Sequence, residues 1–272
     1  MSLTILNSIS SLTAENSLSM TQASLQKTLT ELSSGLKINS GADDAAGLSI
    51  ANGLQANISA LSQSSQNASD GIGLLQTADG ALSQVTALLN RAVTLATEAS
   101  TGGLSTSQST ALNTEYQSIL TEIGTIGSTT NYNGQAIFGT TANVFTSDGT
   151  TSGSNTVSTT IAALTTTALA LNTTDLTSAT NAQTALSGVT AAIATVAANR
   201  GAIGAAVNQL TADTNVQNTE VTNLTSAENN VQNADIGKTV AQMTQFNVLQ
   251  QTGMAALSQS NQAQQAVLKL LQ

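Results

Sequence analysis

Few side chains in this sequence could carry chemistry, and their types are restrictive. The 272 residues include no His and no Cys, and six basic side chains stand against fifteen acidic ones, for a net charge of −9. Without His no side chain normally titrates near neutrality, and without Cys there is no thiol or disulfide chemistry. Dispersed carboxylates and hydroxyls without an activating base do not form a catalytic site. We therefore expect no enzyme activity and no cofactor, and the negative charge argues against a nucleic-acid partner.

Two adjacent carboxylates, Asp43 and Asp44, could either bind a metal or cap a helix. Ser40 and Asp43 have the spacing of a capping box, and both carboxylates would lie beside the positive end of a helix dipole. Adjacent carboxylates on a helix diverge, and no further ligands lie nearby in the sequence. The sequence therefore favours capping of a helix over a metal site.

The strongest pattern along the chain is a seven-residue spacing of apolar side chains, which places them on one stripe of a helix. There is no Pro to interrupt such a helix. A first series predicts one helix that ends at Thr101–Gly103, and Ser105 to Gln108 form a capping box that opens a shorter helix folding back on it. A third series contains one polar member, Gln217, which either fixes the register as a buried residue or faces solvent at the edge of the bundle. The predicted rod core comprises Leu54, Leu61, Leu75, Leu82, Leu89, Val196, Ile203, Leu210 and Leu224.

Between the second and third helices, at about 128–176, the helical period fails and Gly, Ser, Thr and Asn dominate. Turn signals at 131–134 and 147–149 adjoin short apolar runs, which predicts a small β-hairpin region.

The chain ends show thinner apolar seams that are interrupted by Ser, Thr, Gln and Asn. Isolated helices of this kind are marginal in water, so we expect them to gain most of their stability from assembly. The predicted assembly seams comprise Leu18, Leu25, Leu32, Leu249, Leu257 and Leu270.

Together these patterns predict an all-α dominated fold: a long antiparallel coiled-coil helical rod with a small β-hairpin region and a terminal two-helix coiled coil. The N-terminus has no basic region followed by an apolar run, so we expect no cleaved secretory signal. No stretch approaches the roughly 20 apolar residues that span a bilayer, so we expect no membrane partner.

Residues 32–51, LSSGLKINSGADDAAGLSIA, resemble the N-terminal signature of bacterial flagellins over their whole length. The runs at 223–227 and 250–271 are similar to the flagellin C-terminal region. The resemblance implies a structural subunit that self-assembles into the flagellar filament for swimming motility, in a short form that lacks large outer domains. It implies that 1–40 and 237–272 form a coiled coil lining the filament channel, and that 41–236 form the rod. The alternative is a hook–filament junction protein, which shares the terminal helical plan.

The resemblance also implies a secreted, extracellular protein exported unfolded through the flagellar type III apparatus. Its implied partners are other copies of itself, hook-associated and filament-cap proteins, and an export chaperone.

A last element of the resemblance lies at 89–96, where many flagellins are recognised by Toll-like receptor 5. Leu89, Arg91, Leu95 and Glu115 agree with the family's contact pattern. Val93 and Thr94 depart from it where a charged pair is usual, so the resemblance implies weak recognition. The competing interpretation is that Leu89 belongs to the helix seam and Arg91 to its solvated flank.

Overall fold

The computed structural model of the chain describes residues 9–148 and 155–270. Helices account for most of them, with two small pairs of strands between the third and fourth helix. The elements are α1 (Ile9–Ser34), α2 (Ala45–Ala99), α3 (Thr106–Thr129), β1 (Asn131–Tyr132), β2 (Gln135–Ala136), β3 (Thr140–Phe145), β4 (Thr156–Ile161), α4 (Ala179–Gln232) and α5 (Ile236–Leu270). The helix-dominated fold predicted from the apolar spacing is confirmed.

The chain divides into two compact units. The terminal unit comprises Met1–Ala56 and Asn223–Gln272, and the central unit comprises Asn57–Thr222. Both long helices, α2 and α4, contribute residues to both units. The division at 40 and 237 that the sequence predicts for the assembled state stays a prediction.

In the central unit, α2 and α4 run antiparallel, because residues early in one helix pair with residues late in the other. The Arg200 guanidinium on α4 donates two hydrogen bonds to the Asp79 carboxylate on α2, at 2.7 and 3.1 Å. About four turns further along, the Gln217 amide donates to Ser64 Oγ at 3.0 Å. The apolar stripes of these helices and of α3 form one continuous buried core.

Helix α3 corresponds to the second predicted helix, and its predicted start is confirmed. Ser105 accepts a hydrogen bond from the backbone of Gln108, whose side chain in turn accepts from the backbone of Ser105. This is the reciprocal capping box expected from the spacing. On the buried face of α3, the Tyr116 hydroxyl is 2.7 Å from Thr174 Oγ1, which ties the helix to the segment that precedes α4.

The β region consists of two hairpins. Strands β1 and β2 are joined by Asn133 and Gly134, with φ of 51° and 78°, which is the left-handed backbone that two-residue hairpin turns require. Strands β3 and β4 pair antiparallel, with Thr140 opposite Ile161 and Phe145 opposite Thr156. The predicted turn at 147–149 follows β3, but its last residue lies outside the described residues.

Thr and Ser are frequent on the exposed faces of the helices, and their hydroxyls bond back into the same helix. In most cases the hydroxyl donates to the carbonyl four residues earlier, as Thr94 does to Asn90 at 3.1 Å. The same bond is made by Thr77, Thr110, Thr190, Thr211 and Thr219. These hydroxyl protons are therefore already used within the helix.

One stretch of α4 has the length and composition of a membrane span, which the sequence reading did not anticipate. Its helix is rich in Ala, and its apolar positions at Val189, Val196 and Ile203 are buried in the protein core. Core helices of water-soluble proteins meet the same criterion, so the stretch is weak evidence for a membrane.

Candidate assembly surface

The terminal unit is built on the pairing of α1 with α5. The two helices run antiparallel, since Ser11 Oγ lies 2.8 Å from Ser260 Oγ, while at the other end Leu36 forms an isolated antiparallel bridge with Asn233. Between them, Leu18 lies against Gly253, where an added Cβ would be 3.4 Å from the Leu18 side chain. Gly253 has no side chain, so it leaves room for Leu18 between the two helices.

The most deeply buried side chains of this pair are two threonines that the sequence reading missed. Thr28 on α1 and Thr239 on α5 are each 4% exposed. Both hydroxyls donate to the carbonyl four residues earlier, Thr28 to Ser24 at 2.9 Å and Thr239 to Asp235 at 2.8 Å, so their methyl groups can pack in the seam without an unpaired donor. The available signal was spacing, because Thr28 falls between Leu25 and Leu32 at steps of three and four.

An ion pair joins α1 to the loop that leads into α2. Lys27 Nζ is 2.9 Å from the Asp43 carboxylate, which also accepts hydrogen bonds from the Ser40 hydroxyl and from the backbone N–H groups of Asn39 and Ser40. These donors, led by Lys27, lower the pKa of Asp43 to about 2. Asp43 therefore stabilises this loop and pairs with α1.

The start of α2 differs from the prediction, because the helix begins at Ala45 and Asp44 is its cap. The Asp44 carboxylate accepts hydrogen bonds from the backbone N–H groups of Ala46 and Gly47, at 3.1 and 2.9 Å. Asp43 instead closes the preceding turn. The acidic pair thus serves capping and loop closure, and the register was misjudged because both Asp residues satisfy the capping pattern.

The predicted seam residues are distributed between the inner and outer sides of the pair. Leu18, Leu25, Leu32 and Leu257 are half-buried, whereas Leu249 is 45% exposed. Leu270 is the last residue of α5, and its side chain lies outside the described residues.

Several large apolar side chains remain exposed on these two helices. On α5, Val248 is 54% exposed and lies nine residues from Leu257, which places it about half a turn around the helix from the α1 side. Leu249 and Met254 lie about 140° from each other around α5. The exposed set on the two helices comprises Ile9, Leu12, Met20, Leu29, Ile236, Val240, Val248, Leu249 and Met254.

The predicted rod-core residues lie mostly in the central unit. Seven are buried, with 3% exposure or less: Leu61, Leu75, Leu82, Leu89, Val196, Ile203 and Leu210. Leu54 and Leu224 are half-buried and belong to the terminal unit.

The predicted receptor residues separate into a buried pair and an exposed pair. Leu89 and Leu95 are fully buried on the inner face of α2, which agrees with the competing interpretation of Leu89 as a seam residue; receptor contact stays a prediction. Arg91 and Glu115 are about half exposed and form an ion pair between α2 and α3, with 2.7 Å between Arg91 Nε and Glu115 Oε1. Each partner stabilises the charge of the other, which raises the pKa of Arg91 and lowers that of Glu115.

Gln217 is buried, which decides between its two predicted roles. It is 4% exposed, and its amide also donates to the Thr146 carbonyl at 2.8 Å, just after β3. Gln217 thus links α4 to α2 and to the end of a hairpin. A cavity of about 180 Å³ beside it is lined in part by Asp148, Asp213 and Glu220. Within the described residues, no group of three or more His, Cys, Asp or Glu could hold a metal ion.

Two family models match the helical regions towards the two ends of the chain. Residues 5–143 match the family model described as the bacterial flagellin N-terminal helical region, and 186–271 match that of the C-terminal helical region. The chain is similar to the flagellin of Halalkalibacterium halodurans, at 34% identity over 90% of this chain and 91% of that protein. It is similar to the flagellin of Bacillus subtilis, at 32% identity over 97% and 98%. The crystal structure of Bacillus cereus flagellin matches 56% of this chain and 88% of that chain, with 27% identity and a TM-score of 0.50.

Proposed function

The chain belongs to the bacterial flagellin family and is a structural subunit of the flagellar filament, and we propose that α1 and α5 carry its assembly with other copies of itself. The match covers the N- and C-terminal helical regions, and nothing in it favours a hook–filament junction protein. The family is structural, in agreement with the expectation of no enzyme activity.

The exposed apolar side chains of α5 carry this proposal. Leu249, Met254 and Val248 lie on different sides of one helix, of which only the side facing α1 is covered. A single partner related by a two-fold axis would cover one face. Covering all three positions requires neighbours on several sides, as a helical polymer supplies.

The distribution of charge supports the same assignment. The terminal unit contains four basic and six acidic residues, whereas the central unit contains two basic and nine acidic residues. Most of the net charge of −9 therefore lies in the central unit. Repulsion between copies is weakest where the terminal units pack together.

Following the family resemblance, residues 1–40 and 237–272 would line the filament channel, and 41–236 would form the rod around it. Removal of 1–35 or of 240–272 should leave a folded helical central unit but abolish filament growth. Circular dichroism and sedimentation measure the two properties separately. Filaments formed at normal yield by either truncated chain would refute the assignment of the ends to assembly.

A matched pair of substitutions on α5 gives a sharper test. Val248→Gln replaces an exposed apolar side chain with a polar one. Thr252→Gln, one turn further along α5, replaces an exposed polar side chain with another polar one. Val248→Gln should raise the critical concentration for polymerisation, measured by sedimentation, and Thr252→Gln should leave it nearly unchanged. Equal effects would show that the apolar exposure of α5 does not drive assembly.

The family resemblance further supports export and specific partners. We propose that the chain is exported through the flagellar type III apparatus with an export chaperone, and that it joins hook-associated and cap proteins on an extracellular filament. Antibody detection in culture medium and cell pellet, with and without residues 1–35, tests the route. Equal secretion of the truncated chain would contradict it.

Of the four predicted Toll-like receptor 5 contacts, Arg91 and Glu115 are exposed. We propose a weak contact through Arg91 and Glu115, which the free subunit presents on its surface. In a cell reporter assay, Arg91→Ala should reduce the response. Arg200→Ala breaks the other Arg–carboxylate pair of the central unit and serves as the control. Equal responses of the two variants would exclude the contact.

A further inference from the structure

Of the three methionines among the described residues, two are exposed to solvent. Met20 on α1 is 63% exposed and Met254 on α5 is 49% exposed. Methionine is usually buried, and an exposed thioether is the form that oxidants reach first. Met243, also on α5, is half-buried and lies about 40° around the helix from Leu257, toward α1.

The antiparallel register brings the two exposed methionines to the same level of the terminal unit. Leu18 lies against Gly253, and Ser11 against Ser260, so the position opposite Met20 is close to residue 251. Met254 is then about one helical turn away along the axis, at 1.5 Å per residue. Both thioethers therefore lie at nearly the same level along the pair, Met20 on the side of α1 away from α5 and Met254 about 100° around α5 from Gly253.

We propose that oxidation of Met20 and Met254, each an exposed thioether on an assembly helix, regulates assembly, an inference that rests on the proposed role of α1 and α5 in polymerisation. With hydrogen peroxide as the oxidant, the thioether sulfur attacks one peroxide oxygen and the O–O bond breaks. A sulfur–oxygen bond forms, and the other oxygen leaves as water after proton transfer. The sulfur loses two electrons and the peroxide gains them, so each methionine becomes a sulfoxide.

The sulfoxide opposes assembly because it turns an apolar side chain into a polar one. Its oxygen is a strong hydrogen-bond acceptor that loses its water when a neighbouring subunit covers it. The nearby hydroxyls of Thr21 and Thr252 cannot replace that water, since they already donate within their helices. Leaving a buried acceptor unpaired should raise the critical concentration at least about tenfold.

The same geometry makes the reaction depend on the assembly state. In the free subunit both sulfurs are accessible, whereas in the polymer the neighbours that cover α1 and α5 shield them. Oxidation therefore acts on subunits before they are incorporated, and an existing filament resists the same treatment. A methionine sulfoxide reductase reverses the modification by returning the sulfoxide to the thioether.

The test uses the full chain with and without hydrogen peroxide, which is removed before polymerisation is seeded. Peptide mass spectrometry measures sulfoxide at each methionine, and sedimentation measures the critical concentration. The control is the double variant Met20→Leu and Met254→Leu, which keeps an apolar volume and retains Met1 and Met243. Circular dichroism verifies that the helix content is unchanged in every sample.

We expect oxidised wild-type chain to show the raised critical concentration, and the treated double variant to assemble like its untreated form. Treatment with the reductase should restore assembly of the wild-type chain, and preformed filaments should retain unmodified Met20 and Met254. Unchanged assembly of the oxidised wild-type chain would overturn the oxidation proposal alone. Equal inhibition of the double variant by peroxide would also overturn the oxidation proposal. Failure of the untreated wild-type chain to polymerise would overturn the proposed function as well.

Discussion

Two glycines in α3 provide a quantitative test of how the β region packs on the helices. A Cβ added to Gly124 would meet no atom within 4 Å, whereas one added to Gly127 would lie 2.9 Å from the Leu164 carbonyl carbon and closer still to its oxygen. Both are helix positions, so Gly→Ala gains about 1 kcal/mol of helix propensity at each. The variants therefore differ by the cost of the collision alone.

The collision at Gly127 involves backbone atoms of a buried residue, so α3 or the segment around Leu164 must shift. Overpacking of this kind costs about 1–3 kcal/mol. Gly124→Ala should thus raise the melting temperature, and Gly127→Ala should melt lower than Gly124→Ala by roughly 2–12 °C, at about 2–4 °C per kcal/mol for a unit of this size. Thermal unfolding followed by circular dichroism measures the difference. A melting temperature of Gly127→Ala equal to or above that of Gly124→Ala would refute the packing of α3 against Leu164.

Three further predictions test other contacts. Leu82→Asp should destabilise the chain by several kcal/mol, because Leu82 is 1% exposed, whereas Thr94→Asp on the exposed face of α2 should change the melting temperature little. Gln217→Met keeps a similar volume but removes the bonds to α2 and to the end of β3, so hydrogen exchange in β3 and β4 should accelerate by about fivefold or more. The pKa of Asp43 is lowered, so the stabilisation from its pairing with Lys27 is present above about pH 4 and is lost as the pH falls through about 2. Carboxyl titration by NMR should show this low pKa in the wild-type chain and a higher value in Lys27→Met.

The sequence predicted the long helices well because their burial repeats with the helical period. Leu75, Leu82 and Leu89 share one phase, and all three are buried. The capping box at Ser105 was also predictable, since it depends on residues three apart. Such local and periodic signals require no knowledge of the partner helix.

Contacts that depend on tertiary structure were less accessible to sequence reasoning. Thr28 and Thr239 were missed because threonine is polar, and the sequence does not show that each hydroxyl donates a hydrogen bond to the carbonyl four residues earlier. Leu95 was assigned only by family resemblance, which does not show which face of α2 is inward, whereas the seven-residue spacing had already placed Leu89 in the core. The pairing of Lys27 with Asp43 joins residues sixteen positions apart across a loop, and no periodic pattern indicates it.

The back-bonded hydroxyls on the helices have a consequence for contact with foreign surfaces. A hydroxyl that donates to its own backbone can still accept hydrogen bonds from water but has no proton left for an outside acceptor. With six basic residues in the whole chain, and Lys27, Arg91 and Arg200 in ion pairs, the helix surfaces of the described residues are poor in free cations. Phosphate, sulfate and carboxylate groups, which coat most cells and sugars, therefore meet few free positive charges and few free hydroxyl protons there. We expect these surfaces to bind such anionic materials weakly.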